Sequence, residues 1–196
     1  MRGDARWAVR FPVLFGQSYV AYADCRIRGT TQPPPDPLVS RVHVVGVTPA
    51  GAVLVCRSEQ EWRFLPGGTR EPGESLDDLV RRELMEEAGA VLRASGASGR
   101  WLRDEPRLFF SHVAESGRRE PYRPHQPHPR AYWSYAVAGV RVVGPPSNPP
   151  DGEKILDVHE LEPGDAADYM DVHDPVHADV VRLADAMGLI RPSERV

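Results

Sequence analysis

Two kinds of apolar pattern run along this chain: short strand-like runs, and two stripes at helical spacing. Strand-like runs at residues 41–48 and 52–58 flank Pro49, Ala50 and Gly51, a turn-forming composition that predicts a β-hairpin. Residues 62–65 read as a third short strand, and further strand-like stretches fall at 107–114, 131–143 and 154–158. Between them, Ser75 followed three positions on by Asp78 is a helix-start signal, and Gly89 supplies a left-handed stop, so the pattern predicts a helix over 76–88. A second helix is expected after Asp174-Pro175, where Val176, Val180, Leu183, Ala184 and Met187 form one stripe and Gly188 ends it. The chain is therefore of mixed α and β class.

The N-terminal 32 residues are harder to place. Trp7, Val9, Phe11, Val13 and Phe15, then Tyr19, Val20 and Tyr22, partly alternate, which predicts one or two strands. The run Pro33-Pro34-Pro35-Asp36-Pro37 cannot continue a helix or a central strand. It divides the chain into an N-terminal extension, 1–37, a main domain, 38–190, and a short tail, 191–196. Residues 117–130 and 144–152 are the long Pro-rich loops, the kind of segment where substrate contacts often sit.

The predicted helix 76–88 carries carboxylates on its apolar face. At about 100° per residue, Leu76, Leu79, Val80, Leu84 and Ala88 share one stripe, Glu83 and Glu87 fall inside it, and Glu86 lies at its edge. Like charges three and four positions apart repel, each pair costing roughly 0.2–0.5 kcal/mol even when exposed. The C-terminal half of a helix disfavours negative charge, and burial would add a desolvation cost. A solvated acidic face would lie opposite the leucines, so that reading fails on geometry. Arg81 and Arg82 are adjacent, but a hard divalent cation bound by carboxylate oxygens offsets several charges at once.

Composition narrows the partners. Twenty-four basic residues against 28 acidic leave a net charge of −4, too acidic a balance for holding bulk DNA or RNA, while a small nucleotide needs only a local basic patch. Cys25 and Cys56 are too few for a disulfide framework or a thiolate zinc site, which suits a cytoplasmic protein. No apolar run of about 20 residues is present, so neither a membrane span nor a membrane partner is expected. His173 and His177 stand four apart but lack the glutamate of a zinc-protease motif, and both are expected at the surface near the start of the last helix, without chemistry.

Read from Gly68 through Glu74, Arg82, Glu83, Leu84, Glu86, Glu87 and Gly89 to Ala90, the segment resembles the Nudix box, G-x5-E-x7-R-E-U-x-E-E-x-G-U with U apolar. A chance match in a chain of this length is on the order of 10⁻⁷. The resemblance implies an α/β fold, a Nudix-type α/β/α sandwich with a mixed β-sheet and a loop-helix-loop catalytic module, and a hydrolase that cleaves a diphosphate linkage in a nucleotide-like substrate. It implies Mg²⁺, with Mn²⁺ as a substitute, held by Glu83, Glu86, Glu87 and the Gly67 carbonyl. Glu74 and Arg82 resemble the pair that ties the loop to the helix. Glu86 or Glu87 is expected to take the proton from water, with Glu115 and Glu120 as alternative bases on a downstream loop. Arg118, Arg119, Tyr122, Arg123 and Arg130 in residues 117–130 suit phosphates and a stacked base. Two other readings stand beside this one: a Nudix-like domain that senses a nucleotide without turnover, and a scaffold whose N-terminal strands pair with a partner; alongside catalysis, the N-terminal extension could extend the sheet or form a homodimer contact.

Overall fold

The two long apolar strands that centre the molecule, β3 (Val39–Val47) and β9 (Arg130–Val142), pair in parallel over nearly the whole length of β3. Among the described residues every other pairing is antiparallel, so the sheet is mixed. The computed structural model of the chain describes residues 2–93, 106–149 and 152–191. The 191–196 tail beyond Arg191 and positions 150–151 of the second Pro-rich loop lie outside the described residues.

In chain order the elements are α1 (Arg2–Arg10), α2 (Pro12–Phe15), β1 (Gln17–Val20), β2 (Cys25–Thr30), β3, β4 (Val53–Ser58), β5 (Arg63–Phe64), β6 (Gly67–Thr69), α3 (Leu76–Ala88), β7 (Ala90–Leu92), β8 (Arg107–Ser116), β9, β10 (Ile155–Leu161), α4 (Pro163–Asp171) and α5 (Pro175–Ala186). Among the described residues the strand order is β1-β2-β8-β9-β3-β4-β10, with β5 on β4, β6 on β3 and β7 on β9. Alternation along the strands sends side chains to two cores. Val42, Val44, Leu54, Ala136, Ala138 and Val140 pack with Leu79, Val80, Leu84 and Ala88 of α3. Val45, Val47, Val53, Val55, Tyr135 and Val137 pack on the other face beneath α1, α2, α4 and α5. The result is an α/β/α sandwich, as the resemblance implies.

The predicted hairpin forms: Val47 pairs with Val53, and the Thr48 amide donates to the Ala52 carbonyl. At the start of α3 the Ser75 hydroxyl accepts from the Asp78 amide and donates to the Asp78 carboxylate, a cap worth about 1 kcal/mol. Gly89 ends the helix at φ 54°. No helix among the described residues is long and apolar enough to cross a membrane.

The N-terminal expectation needs correction. Trp7 to Phe15, read as strand, forms α1 and α2. The buried residues are Trp7, Phe11, Leu14 and Phe15, which follow helical spacing, whereas Val9 and Val13, which created the alternation, are exposed. The two strands of this region are the later segments β1 and β2, and β2 pairs with β8 along its full length, so the first 30 residues extend the sheet.

Asp4 holds α1 to the end of β2. Its carboxylate accepts from the Thr31 amide at 2.9 Å, the Thr30 hydroxyl at 3.0 Å and the Thr31 hydroxyl. Burial pushes this carboxyl up, but the threonine hydrogen bonds outweigh it and hold the group below its ordinary range. A lowered acid stabilises the fold above the unfolded value, and that contribution is lost as pH falls through the folded one. Protection of the amides of α1 and α2 against exchange, relative to an unstructured chain at the same pH, should therefore fall several-fold in Asp4→Asn, and in the wild type below about pH 4; unchanged protection in both would show that the contact does not dock the helix.

Candidate active site

The polar hub of α3 is Arg82. Its guanidinium reaches back to the preceding loop, where Nε and Nη2 donate to the two oxygens of Glu74 at 2.8 and 3.1 Å and Nη2 also donates to the Thr69 carbonyl at 3.1 Å. From Nη1 it donates to Glu83 at 2.8 Å and Glu86 at 3.2 Å. A planar fork with five N–H groups can satisfy loop and helix together, which a point-charge ammonium cannot. Arg81 points elsewhere and pairs with Asp77 at 2.6 Å.

Glu83 is only 6% exposed and lies on the same face as Leu79, Val80 and Leu84. The Gly67-Gly68 turn makes room for the acids. Gly67 adopts φ 149°, and a Cβ there would stand 2.3 Å from the Val42 carbonyl oxygen and 2.4 Å from the His43 Cα. A Cβ on Gly68 would come within 2.2 Å of Glu83 Oε1. With no side chain in the way, the Gly67 amide donates to Glu87 at 2.8 Å.

Desolvation raises the Glu83 carboxyl, which Arg82 opposes. Glu87 is pushed up to about 8, first by burial and then by the charges of Glu83, Glu153 and Glu86, against the Gly67 hydrogen bond. For Glu74, burial is outweighed by hydrogen bonds from Arg82 and the Glu71 amide, and the group stays below its ordinary value. Arg82 is itself driven further up, chiefly by Glu74. Among the described residues no three His, Cys, Asp or Glu side chains are gathered as a ready ligand set. Arg82 holds Glu83 and Glu86, and the Gly67 amide holds Glu87.

Glu87 and Gly67 open onto a cleft of about 740 Å³. Its walls carry Tyr22, Trp62, Phe64 and Trp133, and its floor His43, His112, Tyr135 and His177. Expected at the surface, His177 is instead 6% exposed: its Nδ1 accepts from the Leu65 amide at 3.2 Å because α5 lays its first turn against β5 and β3. Burial, with help from Arg41 and His112, lowers His177 to about 3, so the 3.3 Å approach of Asp174 to its Nδ1 is not an ion pair. His43 donates from Nδ1 to the Leu65 carbonyl at 3.2 Å, and burial together with His177 holds it well below the ordinary imidazole range. His112 donates from Nε2 to the Leu14 carbonyl at 3.1 Å.

None of this floor was expected from sequence. Its residues come from β3, β8, β9 and α5, and the one local signal is parity: His43 occupies the strand face that continues into Val45 and Val47.

The loop residues proposed for substrate divide. Tyr122 and Arg123 line a smaller chamber of about 150 Å³, separated from the main cleft by Tyr22, Arg41 and Trp133, which line both. Tyr22 and Trp133 stack at 6.4 Å with 7° between their planes, and Arg41 lies 4.8 Å over Trp133. Arg118 is exposed and sits 5.6 Å over Tyr122. Arg119 and Glu120 are exposed and line neither space. Arg130 is engaged by Glu115 at 2.7 Å. Glu115 follows Ala114, which lines the chamber, so strand alternation turns it to the opposite face, beside Arg26 and Arg28.

Two outcomes follow from these contacts. Arg82→Ala leaves Glu83 buried without its cation and should lower unfolding free energy in urea by about 3 kcal/mol or more, with Arg82→Lys recovering only part; a loss below about 1 kcal/mol would remove Arg82 as the hub. The second concerns His112, which burial lowers to about 4 against the Leu14 hydrogen bond. Between about pH 6.5 and that value the unfolded chain takes up a proton that the folded one refuses, so stability falls with pH through this window. His112→Gln, which keeps a donor for Leu14, should flatten that slope, and an unchanged slope would contradict the assignment.

Comparison with known proteins agrees with this architecture. The NUDIX domain profile matches residues 37–182. Among solved structures, the Bacillus subtilis pyrophosphohydrolase BsRppH superposes with a TM-score of 0.60 at 14% identity, over 89% of this chain and 99% of that one. The E. coli ORF135 protein reaches a TM-score of 0.41 at 16% identity, over 79% of this chain and 97% of that one. The E. coli dihydroneopterin triphosphate pyrophosphohydrolase gives 0.38 at 14%, over 74% and 96%. No curated protein matches the sequence closely enough to count as a relative. With the profile spanning most of the chain and the Gly68 to Ala90 motif folded as loop, helix and loop, the chain belongs to the NUDIX domain family and is a hydrolase of phosphoanhydride bonds.

Proposed function

We propose that this protein uses a divalent cation, Mg²⁺ or Mn²⁺, to hydrolyse the diphosphate linkage of a small nucleotide-like substrate whose phosphates meet the cleft at Gly67 and Glu87. The observation that carries the reading is the burial of Glu83 beside one guanidinium that also serves Glu74 and Glu86, with the half-buried Glu87 next to it held by a single backbone amide. Hard carboxylate oxygens with incomplete positive compensation fit a hard cation, so the residues fit the group that the family implies. Glu83, Glu86, Glu87 and the Gly67 carbonyl are the donors that would hold it. When bound, the cation supplies charge neutralisation for the phosphates and lowers the pKa of water.

The chain's own groups do the rest. Water forms a bond to one phosphorus, the bridging P–O bond breaks, the second phosphate leaves with the bridging oxygen, and a carboxylate takes the proton. Glu87 is the box carboxylate that lines the cleft, which favours it as base over Glu115, turned to the far face of the sheet, and over Glu120. Arg82 keeps Glu83 and Glu86 oriented and acts as a positioning residue. The Pro-rich turn at 33–37 is proposed as the boundary between the sheet-extending N-terminal segment and the catalytic domain.

Incubation with Mg²⁺ and a panel of nucleoside triphosphates, dinucleoside polyphosphates and nucleotide sugars, with products identified by mass, tests this. Turnover of at least one should stop in EDTA, and Glu87→Gln should lower kcat by roughly 10²–10⁴ without lowering the melting temperature. Near-normal turnover in that variant, or turnover undiminished by chelation, would refute the proposal.

A further inference from the structure

Leu65 clamps two histidines at once. An amide N–H can donate only to an unprotonated nitrogen, so His177, whose Nδ1 accepts from the Leu65 amide, carries its proton on Nε2. A carbonyl can only accept, so His43, whose Nδ1 faces the Leu65 carbonyl, is protonated there and leaves Nε2 as an acceptor. The two rings lie 4.6 Å apart, and both line the cleft. One backbone residue thus sets a donor and an acceptor side by side. Tyr135 adds a hydroxyl, its ring 5.9 Å from His43 and 5.7 Å from His177.

Neither Nε2 atom, nor the Tyr135 hydroxyl, has a hydrogen-bond partner among the described residues, and none belongs to the sealed, unpartnered polar atoms of the interior. His177 and Tyr135 are 6% and 5% exposed. Polar groups so deeply placed are costly unless something in the cleft satisfies them. An Asp174–His177–His43 proton relay is ruled out by the same contact, because the nitrogen nearest Asp174 already accepts from Leu65.

We infer that the His43–His177–Tyr135 floor binds the uncharged, hydrogen-bonding part of the substrate next to its phosphates, a group presenting an acceptor beside a donor. Sugar hydroxyls and the amide edge of a base both have this chemistry. The floor groups lie in the same cleft as Gly67 and Glu87, with Arg41 and Asp174 also on its lining, so a ligand whose phosphates meet Gly67 can place its uncharged part on the floor. His43 marks the seam, since a Cβ at Gly67 would stand 2.9 Å from its Nδ1. The inference rests on the proposed nucleotide-like substrate and names how that substrate is held.

The test compares binding of inorganic tripolyphosphate with that of the α,β-methylene analogues of ATP, 2′,3′-dideoxy-ATP and UTP, by calorimetry on the full chain with Mg²⁺. His177→Asn keeps an acceptor for the Leu65 amide but places nothing at Nε2, and Tyr135→Phe removes only a hydroxyl. Each should cut the preference for nucleotide over tripolyphosphate by about tenfold, and His177→Gln, which returns an N–H near the ε position, should restore part of it. A loss that vanishes for the dideoxy analogue assigns the contact to the sugar; a loss that persists there and differs between ATP and UTP analogues assigns it to the base. Folded variants that keep the wild-type preference, or a wild type without one, would overturn the inference. Kept preference alongside metal-dependent turnover sinks this inference alone, whereas lost preference in a protein that hydrolyses no nucleotide sinks only the hydrolytic reading.

Discussion

Everything at this site depends on one unequal balance of charge: Glu83, Glu86 and Glu87 along α3, against one guanidinium that reaches two of them. Arg82 spans loop and helix: two of its hydrogen bonds go to Glu83 and Glu86, and three fix the loop through Glu74 and Thr69. The Gly67-Gly68 turn completes the arrangement, because any side chain there would collide with His43 or with Glu83 itself. Burial leaves Glu87 with a raised pKa and a single amide donor. The proposed cation site rests on this imbalance of charge.

The cleft has two chemically different ends. Near Gly67 and Glu87 it is acidic and built from a helix and a glycine turn. Past His43 its floor is made of imidazoles and a phenol held by Leu65, α2 and α5, with Asp174 and Arg41 also on the lining, beneath aromatic walls. The N-terminal helices matter to this floor: the Leu14 carbonyl at the end of α2 fixes His112, and Phe15 packs on Phe110 at 5.3 Å. The first residues of the chain therefore support the cleft as well as widen the sheet.

How much of this was legible in the sequence depends on how local each signal is. Helix α3 could be read with both ends because Ser75, Asp78 and Gly89 act within a turn of where they sit, and the inward Glu83 could be read from azimuth alone. The N-terminal segment was misread because Val9 and Val13 interleave with Trp7, Phe11 and Phe15 in a pattern that fits either period. α4 left little trace, since its buried residues are two alanines and Met170 among aspartates and a glycine. β6 is two glycines and a threonine, a strand only because β3 offers a partner. The histidine floor was beyond reach, because the residues that meet there lie on elements far apart in the chain and Leu65, which orients two of them, has nothing unusual about it in sequence.

Whether Glu83 and Glu87 form the proposed cation site is measured by Mn²⁺ binding followed by electron paramagnetic resonance, which counts free and bound ion without any substrate. Uptake by the wild-type chain should be saturable and should weaken at least about tenfold when Glu83 or Glu87 becomes glutamine. Uptake that is absent, or that survives both replacements unchanged, would contradict it.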